Sequence, residues 1–184
     1  GTIYHIKGDL IKALKLYFKC LGIREEIKDE VLGEYGEVAF GPVAPIFQKG
    51  FNDRLKPEEY NPAEAKKLLR NSGWVDRDND GILEKGDNEF SFTLHIPSGN
   101  PRRSFAATVV KNNLRIVGID VKIAELEPGV FFDKMFGKEF DAWMAGWSVP
   151  IPPDPRPYWH SNLSENFLNV VSYQSERASK ILDE

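Results

Sequence analysis

Between residues 89 and 96, hydrophobic and polar side chains alternate, and this pattern predicts a strand with one buried face. The hydrophobic positions are Phe90, Phe92, Leu94 and Ile96. A second alternation, at Ile119, Val121 and Ile123, predicts another strand. The residues between the two alternations begin with Asn100-Pro101, a typical helix start, and end with Gly118, a typical helix end.

The intervening helix is predicted to run from Asn100 to about Val117 with one hydrophobic face. The side chains expected to be buried are Phe105, Val109, Val110, Leu114 and Val117. A strand–helix–strand unit joins two parallel strands of one sheet, normally through a right-handed crossover. The pattern therefore predicts an α/β fold in which a mixed sheet is flanked by helices.

Further elements are predicted on both sides of this unit. Residues 9–21 and 24–32 have the hydrophobic spacing of helices, whereas residues 33–60 are rich in Gly and Pro and predict a long loop. A helix is predicted from Asn61-Pro62 to Gly73, and another from about 130 to 136. A strand over 140–145 and a last helix from about Ser175 complete the prediction, and we expect residues 1–184 to form a single domain.

Two loops are the best candidates for ligand binding. In open α/β sheets, ligands bind beyond the carboxyl ends of the strands. This rule points to residues 97–103 and to residues 146–158, and the second stretch is stiffened by five prolines between residues 148 and 157. The candidate ligand-binding residues in or beside these loops are Arg102, Trp147, Ser148, Asp154 and Trp159.

Several of these candidates have a structural alternative. Trp147 either stacks on a ligand or packs on the prolines of its own loop. Arg102 and Arg103 stand in the first turn of a predicted helix, where each cation opposes the helix dipole at a cost of roughly 0.3–1 kcal/mol. Either they meet an anionic group together with free backbone N–H donors, or they are tolerated as exposed or acid-paired arginines.

An acidic stretch resembles the start of an EF-hand loop. Asp76, Asp78 and Asp80 occupy loop positions 1, 3 and 5, Gly81 allows the sharp turn at position 6, and Asp87 replaces the usual Glu at position 12. The four aspartates therefore predict a structural Ca²⁺ site. The alternative is an acidic turn between a helix and a strand, in which the Asp side chains accept hydrogen bonds from backbone N–H groups.

Composition and charge argue against several function classes. The net charge is −4 and the basic residues form no stripe, so nucleic acid is not an expected partner. Cys20 is the single cysteine, so no internal disulfide can form. No catalytic motif is present, and the three histidines, His5, His95 and His160, are scattered and are each expected to be solvated. We therefore expect the chain not to be an enzyme.

A series of short motifs resembles the family 5 extracellular solute-binding proteins, the oligopeptide, dipeptide and nickel group. Each motif is common alone, but their order and spacing from about residue 24 onward are specific, whereas the first 23 residues fit less well. The matching segments include Arg24-Glu-Glu-Ile27, Gly41-Pro42, Tyr60-Asn-Pro62, Gly73-Trp74, Ile116-Val-Gly118-Ile119, Gly146-Trp147, Asp154-Pro155 and Tyr158-Trp159-His160-Ser161.

The resemblance implies a lobe of the type II periplasmic-binding-protein fold. Members are two-lobed clamshells, secreted or lipid-anchored outside the cytoplasmic membrane, that capture a peptide, short sugar or nickel complex and deliver it to the permease subunits of an ABC importer. This chain would be the second lobe, with the first lobe absent, and its start at Gly1-Thr2 without a Met fits an excised piece. A lone lobe would keep half of the cleft and bind solute weakly.

One position departs from the peptide-binding members of that family. They carry an Asp three residues after the Trp of the Gly-Trp pair, where it holds the amino terminus of the peptide, and this chain has Pro150 there. A proline cannot pair with an ammonium group, so the departure favours a sugar or another solute over a peptide with a free amino terminus. It also leaves open a sensor or structural descendant of the same fold.

Overall fold

The computed structural model describes residues 52, 54, 60–146, 148, 151–152, 154–162 and 168–184. The helices and strands assigned in these ranges are, in chain order, α1 (Pro62–Asn71), β1 (Glu84–Lys85), β2 (Asn88–Glu89), β3 (Ser91–Pro97), α2 (Pro101–Ile116), β4 (Asp120–Leu126), α3 (Pro128–Phe136), β5 (Ala142–Trp143), α4 (Arg156–Trp159) and α5 (Glu176–Leu182). The helices predicted over 9–21 and 24–32, and most of the loop predicted over 33–60, lie outside the described residues.

The main sheet of the described part has three strands in the order β4-β3-β5. The central strand β3 pairs in parallel with β4 from Ser91 opposite Asp120 to Pro97 opposite Leu126, and it also pairs in parallel with β5. The predicted α/β class and the parallel crossover through α2 are therefore confirmed. Antiparallel pairing is found in a separate two-stranded sheet, β1-β2, and not in the main one.

The crossover helix α2 begins and ends where its sequence predicts. The Asn100 side chain accepts a hydrogen bond from the backbone N–H of Arg103, and Pro101 occupies the first turn. At the other end, Gly118 adopts a φ of +86°, which closes the helix and directs the chain into β4.

One predicted core residue of α2 is wrong. Phe105 is 48% exposed, and Ala106 and Ala107 are buried in its place. Successive helix positions are separated by about 100° around the axis, so a face centred on Ala107 and Leu114 turns position 105 toward solvent. Ala107 belongs to the hydrophobic cluster formed with the sheet, and the sequence prediction gave too much weight to the largest side chain.

The sheet has one hydrophobic cluster on each face. Toward α2, β3 contributes alternate side chains to a cluster that α1 and the following turn also join; its members include Leu69, Trp74, Phe90, Phe92, Leu94, Ile96, Val110, Leu114, Val117 and Val121. Toward α3, a smaller cluster is built on Phe131, Met135 and Val170. The strands are therefore covered by helices on both faces, as parallel strands require.

His95 lies on the α3 side of β3, and the expectation that it is solvated is wrong. Its ring is stacked on Phe140 with centroids 4.1 Å apart, and its Nδ1 atom is buried without a hydrogen-bond partner among the described residues. His160, also expected to be solvated, is only 8% exposed. The strand pattern identified position 95 as outside the α2 cluster but could not reveal that α3 covers this face as well.

The segments that follow β4 differ in length from their predictions. Helix α3 starts two residues earlier than predicted, at Pro128, and β5 comprises only Ala142 and Trp143 of the strand predicted over 140–145. The proline-rich stretch over 148–157 is not all loop, since α4 begins at Arg156. The last helix starts at its predicted cap, because the Ser175 hydroxyl accepts a hydrogen bond from the backbone N–H of Ala178.

Among the helices in the described ranges, none is both long enough and apolar enough to cross a membrane.

Replacing Gly118 by alanine is expected to destabilise the fold. The new Cβ would stand 2.7 Å from Cγ of Leu83, and the positive φ would add strain. We expect the free energy of unfolding to fall by about 2–4 kcal/mol, as the sum of left-handed strain and overpacking. Gly86→Ala is the matched control, because Gly86 also has a positive φ but its Cβ would meet no atom within 4 Å. Its cost should be only about 1–2 kcal/mol, and equal urea midpoints for the two variants would contradict the prediction.

Candidate functional site

The carboxyl ends of three strands meet at one edge of the main sheet. Because β3 is parallel to both neighbours, the chain leaves β3 after Pro97, β4 after Leu126 and β5 after Trp143 on the same side. We call this edge the carboxyl rim, defined by residues 98–100, 127, 144–146 and 148. The prediction that the loops following Ile96 and Ala145 share one edge is thereby confirmed.

Backbone hydrogen bonds hold the first turns of the rim in place. The N–H of Ser98 donates to the carbonyl of Leu126 at 2.7 Å, which ties the β3 loop to the end of β4. The N–H of Met144 donates to the carbonyl of His95 at 3.0 Å and extends the pairing beyond β5. The rim is therefore a continuation of the sheet and has little freedom at its base.

Two glycines make the rim open to an approaching molecule. At both Gly99 and Gly146, an added Cβ would meet no atom of the described residues within 4 Å. Gly99 also has a φ of +85°, a conformation that side-chain-bearing residues rarely adopt. A solute can thus come close to the main chain of both loops.

The two arginines at the start of α2 have different roles. The Arg103 guanidinium donates to the carbonyl of Pro97 at 3.2 Å, so this side chain closes the β3 loop and is half-buried. Arg102 is exposed and makes no hydrogen bond or ion pair with any residue in the described ranges. Of the two, Arg102 is therefore the one whose charge is available to a ligand.

The other predicted site residues are distributed along the second loop. Ser148 is exposed beside the rim, and Trp147 lies outside the described residues. The Asp154 carboxylate accepts a hydrogen bond from the backbone N–H of Arg156, the first residue of α4, at 3.0 Å. Trp159, at the end of α4, is 39% exposed.

Glu127 is a rim residue that sequence reasoning missed. Its carboxylate accepts a hydrogen bond from the backbone N–H of Val130 and caps α3. The backbone N–H groups of Gly129 and Val130 hold the pKa of the Glu127 carboxyl below its ordinary value. A Glu followed directly by Pro128 is a helix-start signal, and reading it would have identified both the cap and the earlier start of α3.

The lowered pKa of Glu127 predicts a pH-dependent contribution to stability. A carboxyl group whose pKa is depressed on folding stabilises the fold above its unfolded pKa, and that contribution disappears as the pH falls through the folded pKa. We expect Glu127→Gln to lower the melting temperature at pH 7 and to have a smaller effect near pH 3. The same loss at both pH values in thermal unfolding would argue against this cap.

The acidic loop brings four carboxylates together. Ligand atoms of Asp76, Asp78, Asp80 and Glu84 all lie within 4.8 Å of one another. Each carboxylate also accepts a hydrogen bond from a backbone N–H; for example, Asp76 accepts from Gly81 at 3.1 Å. These bonds match the acidic-turn alternative, and the remaining oxygens are the hard ligands that Ca²⁺ prefers.

Asp87 does not belong to this group, and its assignment as a ligand is corrected. Gly86 and Asp87 form the tight turn between β1 and β2, so the chain folds back at loop position 12 itself. Glu84, at loop position 9, takes the fourth place in the cluster. The chain thus continues into a hairpin after position 8, where an EF-hand would lead into a helix.

Calcium is expected to stabilise the chain if the four carboxylates bind it. Addition of millimolar Ca²⁺ should then raise the melting temperature of the wild type, because an ion that binds only the folded state stabilises it. Asp78→Asn should remove the shift, whereas Asp87→Asn, outside the cluster, should keep it. An unchanged wild-type melting temperature would leave the acidic turn as the correct interpretation.

The sequence profile of one protein family matches most of this chain. The family is described as bacterial extracellular solute-binding proteins, family 5 middle, and the match covers residues 24–169. It includes β3, β5 and both loops of the carboxyl rim.

Individual relatives agree with this match. The chain is 38% identical over 162 residues to the oligopeptide-binding protein AppA of Bacillus subtilis, covering 86% of this chain and 30% of that protein. It is 26% identical over 121 residues to the nickel-binding periplasmic protein of Escherichia coli, covering 65% of this chain and 22% of that protein. The chain therefore spans less than a third of the length of these relatives.

Solved structures show the same architecture. The structure of Bacillus subtilis AppA in complex with a nonapeptide matches with a TM-score of 0.83 and 34% identity, over 94% of this chain and 35% of that one. The structure of Campylobacter jejuni NikZ in complex with Ni(L-His) matches with a TM-score of 0.75 and 24% identity, over 95% of this chain and 34% of that one. The second likeness concerns the fold alone.

Proposed function

Since this chain belongs to the family 5 bacterial extracellular solute-binding proteins, we propose that it is the solute-gripping lobe of a binding protein that serves an ABC importer. The observation that carries the proposal is the carboxyl rim, where two loops lie side by side with Gly99 and Gly146 open to solvent. A partner lobe opposite this edge would complete a cleft, and the permease subunits of the importer would receive the solute.

The solute that the rim and the family support best is a peptide of several residues. Bacillus subtilis AppA, the relative with 38% identity, is named as an oligopeptide-binding protein. An extended peptide presents backbone N–H and C=O groups at regular spacing, and open glycines let the main chain of the rim reach them. Arg102 then supplies a positive charge for a carboxylate of the peptide. A short sugar or a nickel complex remains the alternative solute.

Pro150 bears on how the peptide would be held. With no acidic side chain at this position, the amino terminus has no ion pair there, and affinity would have to come from main-chain contacts and side-chain pockets. We therefore propose that the rim does not require a charged amino terminus. The same feature supports the alternative function, a sensor or structural descendant of the fold that does not deliver solute to an importer.

The proposal includes location and excludes catalysis. The protein would act outside the cytoplasmic membrane, in the periplasm or held by a lipid anchor; the description of the family as extracellular supports the first part of this proposal. It would bind solute reversibly and not convert it, which agrees with relatives named as binding proteins.

Calorimetric titration of the intact protein tests both the function and the solute class. The ligands are a nonapeptide, its N-acetylated form, a short oligosaccharide and a nickel–histidine complex. We expect saturable binding of the nonapeptide, with acetylation changing the Kd less than about threefold, because no ion pair is lost. A tenfold loss on acetylation would contradict the role given to Pro150, and binding of none of the ligands would count against solute capture.

Arg102→Ala tests the charge at the rim. Because the side chain is exposed and makes no hydrogen bond or ion pair with the described residues, its removal should leave the melting temperature unchanged. We expect the Kd for the nonapeptide to rise about 5- to 50-fold, as loss of a charge-assisted hydrogen bond would cause. Arg115→Ala, a cation at the opposite end of α2, is the control and should leave the Kd unchanged. Equal Kd values for Arg102→Ala and the wild type would show that Arg102 does not contribute to peptide binding.

A further inference from the structure

Two large aromatic side chains are in contact near the end of the chain. The rings of Trp159, in α4, and Tyr173 meet edge to face, with centroids 5.5 Å apart and an interplanar angle of 83°. Each residue is 39% exposed. We call these two residues the aromatic pair. Such a pair presents apolar faces to solvent together with an indole N–H and a phenol O–H, the combination that suits a binding surface.

A buried asparagine fixes the backbone on both sides of the pair. Asn169 is 1% exposed, and its Oδ1 accepts a hydrogen bond from the backbone N–H of Tyr173 at 2.9 Å. Its Nδ2 donates to the carbonyls of Tyr173 and His160, at 2.8 and 3.0 Å. One side chain therefore joins the turn that carries Tyr173 to the residue that follows Trp159.

A second set of hydrogen bonds surrounds this clamp. The Ser161 hydroxyl accepts from the backbone N–H of Ser175 and bonds the Ser179 hydroxyl, each at 2.9 Å. Arg156 pairs with Asp183 at 2.6 Å, which holds α5 against α4. These mainly polar contacts form a frame that fixes the backbone carrying the aromatic pair.

The frame is attached to the carboxyl rim in two ways. The loop that follows the third rim strand leads directly into α4, of which Trp159 is the last residue. Val170, the neighbour of Asn169, belongs to the buried cluster that also contains Leu126 and Ala145, and both of these stand where a strand ends at the rim. The aromatic pair is therefore connected to the proposed solute site both along the chain and through this cluster.

We propose that Tyr173 is a specificity-determining residue of this site, and that it forms with Trp159 a wall that receives an apolar or aromatic side chain of the peptide solute. The inference rests on the proposed function and deepens it by naming the side-chain chemistry that is preferred. A backbone that is fixed in advance loses little entropy when a ligand binds, so the clamp by Asn169 adds to the selectivity.

The test uses the intact protein and pairs of nonapeptides that differ by one residue. A single phenylalanine is moved through the nine positions of a peptide of alanine and lysine, and each Kd is compared with that of the same peptide carrying alanine at that position. At one position or more, we expect the wild type to bind the phenylalanine peptide roughly 2- to 12-fold more tightly, the range of one aromatic contact.

The variants separate this contact from general damage to the fold. The ratio of the Kd of the alanine peptide to that of the phenylalanine peptide measures the preference. Tyr173→Ala should bring this ratio close to one while changing the Kd of the alanine peptide less than about twofold. Tyr173→Phe keeps the ring and should keep the ratio. Phe136→Ala is the matched control, since Phe136 is 41% exposed and its ring lies beside that of Phe132 on α3. It should leave the ratio as in the wild type.

The outcomes distinguish the inference from the function on which it rests. A wild type that binds the peptides with no preference for phenylalanine overturns the inference and leaves solute capture intact. A preference that survives in Tyr173→Ala overturns it as well. A wild type that binds none of the peptides overturns both.

Discussion

The parallel pairing of β3 with two neighbouring strands is the constraint on which the structure depends. Because both neighbours run in the same direction as β3, each connection must return along a face of the sheet, and α2 and α3 occupy the two faces. The side chains of β3 must therefore pack on both sides. They do so through a large cluster toward α2 and a smaller one around Phe131 and Met135. The same pairing places the loops that follow the carboxyl ends of the three strands at one edge of the sheet.

The charges at that edge divide into those that hold the protein together and those that are exposed to solvent. Arg103, Asp154 and Glu127 each bond a backbone group of a neighbouring turn, so their charges are partly used within the loops. Arg102 has no such partner in the described part of the chain. Two adjacent arginines that look equivalent in sequence thus differ because only one side chain can reach back to the carbonyl of Pro97.

Much of the fold could be predicted because its signals are local. Alternation over 90–96 and the asparagine–proline start at Asn100 determine β3 and α2 with little help from the rest of the chain. The errors arose where distant contacts decide. Phe105 is exposed because Ala107 is the residue that packs against the sheet. His95 is covered because Phe140 stacks on its ring, on a face that the strand pattern assigns to solvent.

The candidate site was predictable in outline and not in detail for the same reason. The rule on carboxyl ends identified the two loops, but the partner of each side chain depends on turn geometry. Asp87 matches an EF-hand ligand by position, yet it lies in the turn into β2. Glu84 is the fourth member of the carboxylate cluster in its place. Asn169 gave no signal of its own, because a buried asparagine with three backbone partners is indistinguishable in sequence from one in a surface loop.

The shortness of β5 has an evolutionary consequence. With only Leu94–Ala142 and His95–Trp143 as ladder partners, the chain beyond it is released from the sheet early. The described residues of this connection, Gly146, Ser148, Ile151, Pro152 and Asp154, belong to neither the strand ladder nor the two hydrophobic clusters, so insertions beside them would leave both intact. Lineages that share this scaffold can therefore diverge in one connection, while the foldable unit beneath it is inherited unaltered.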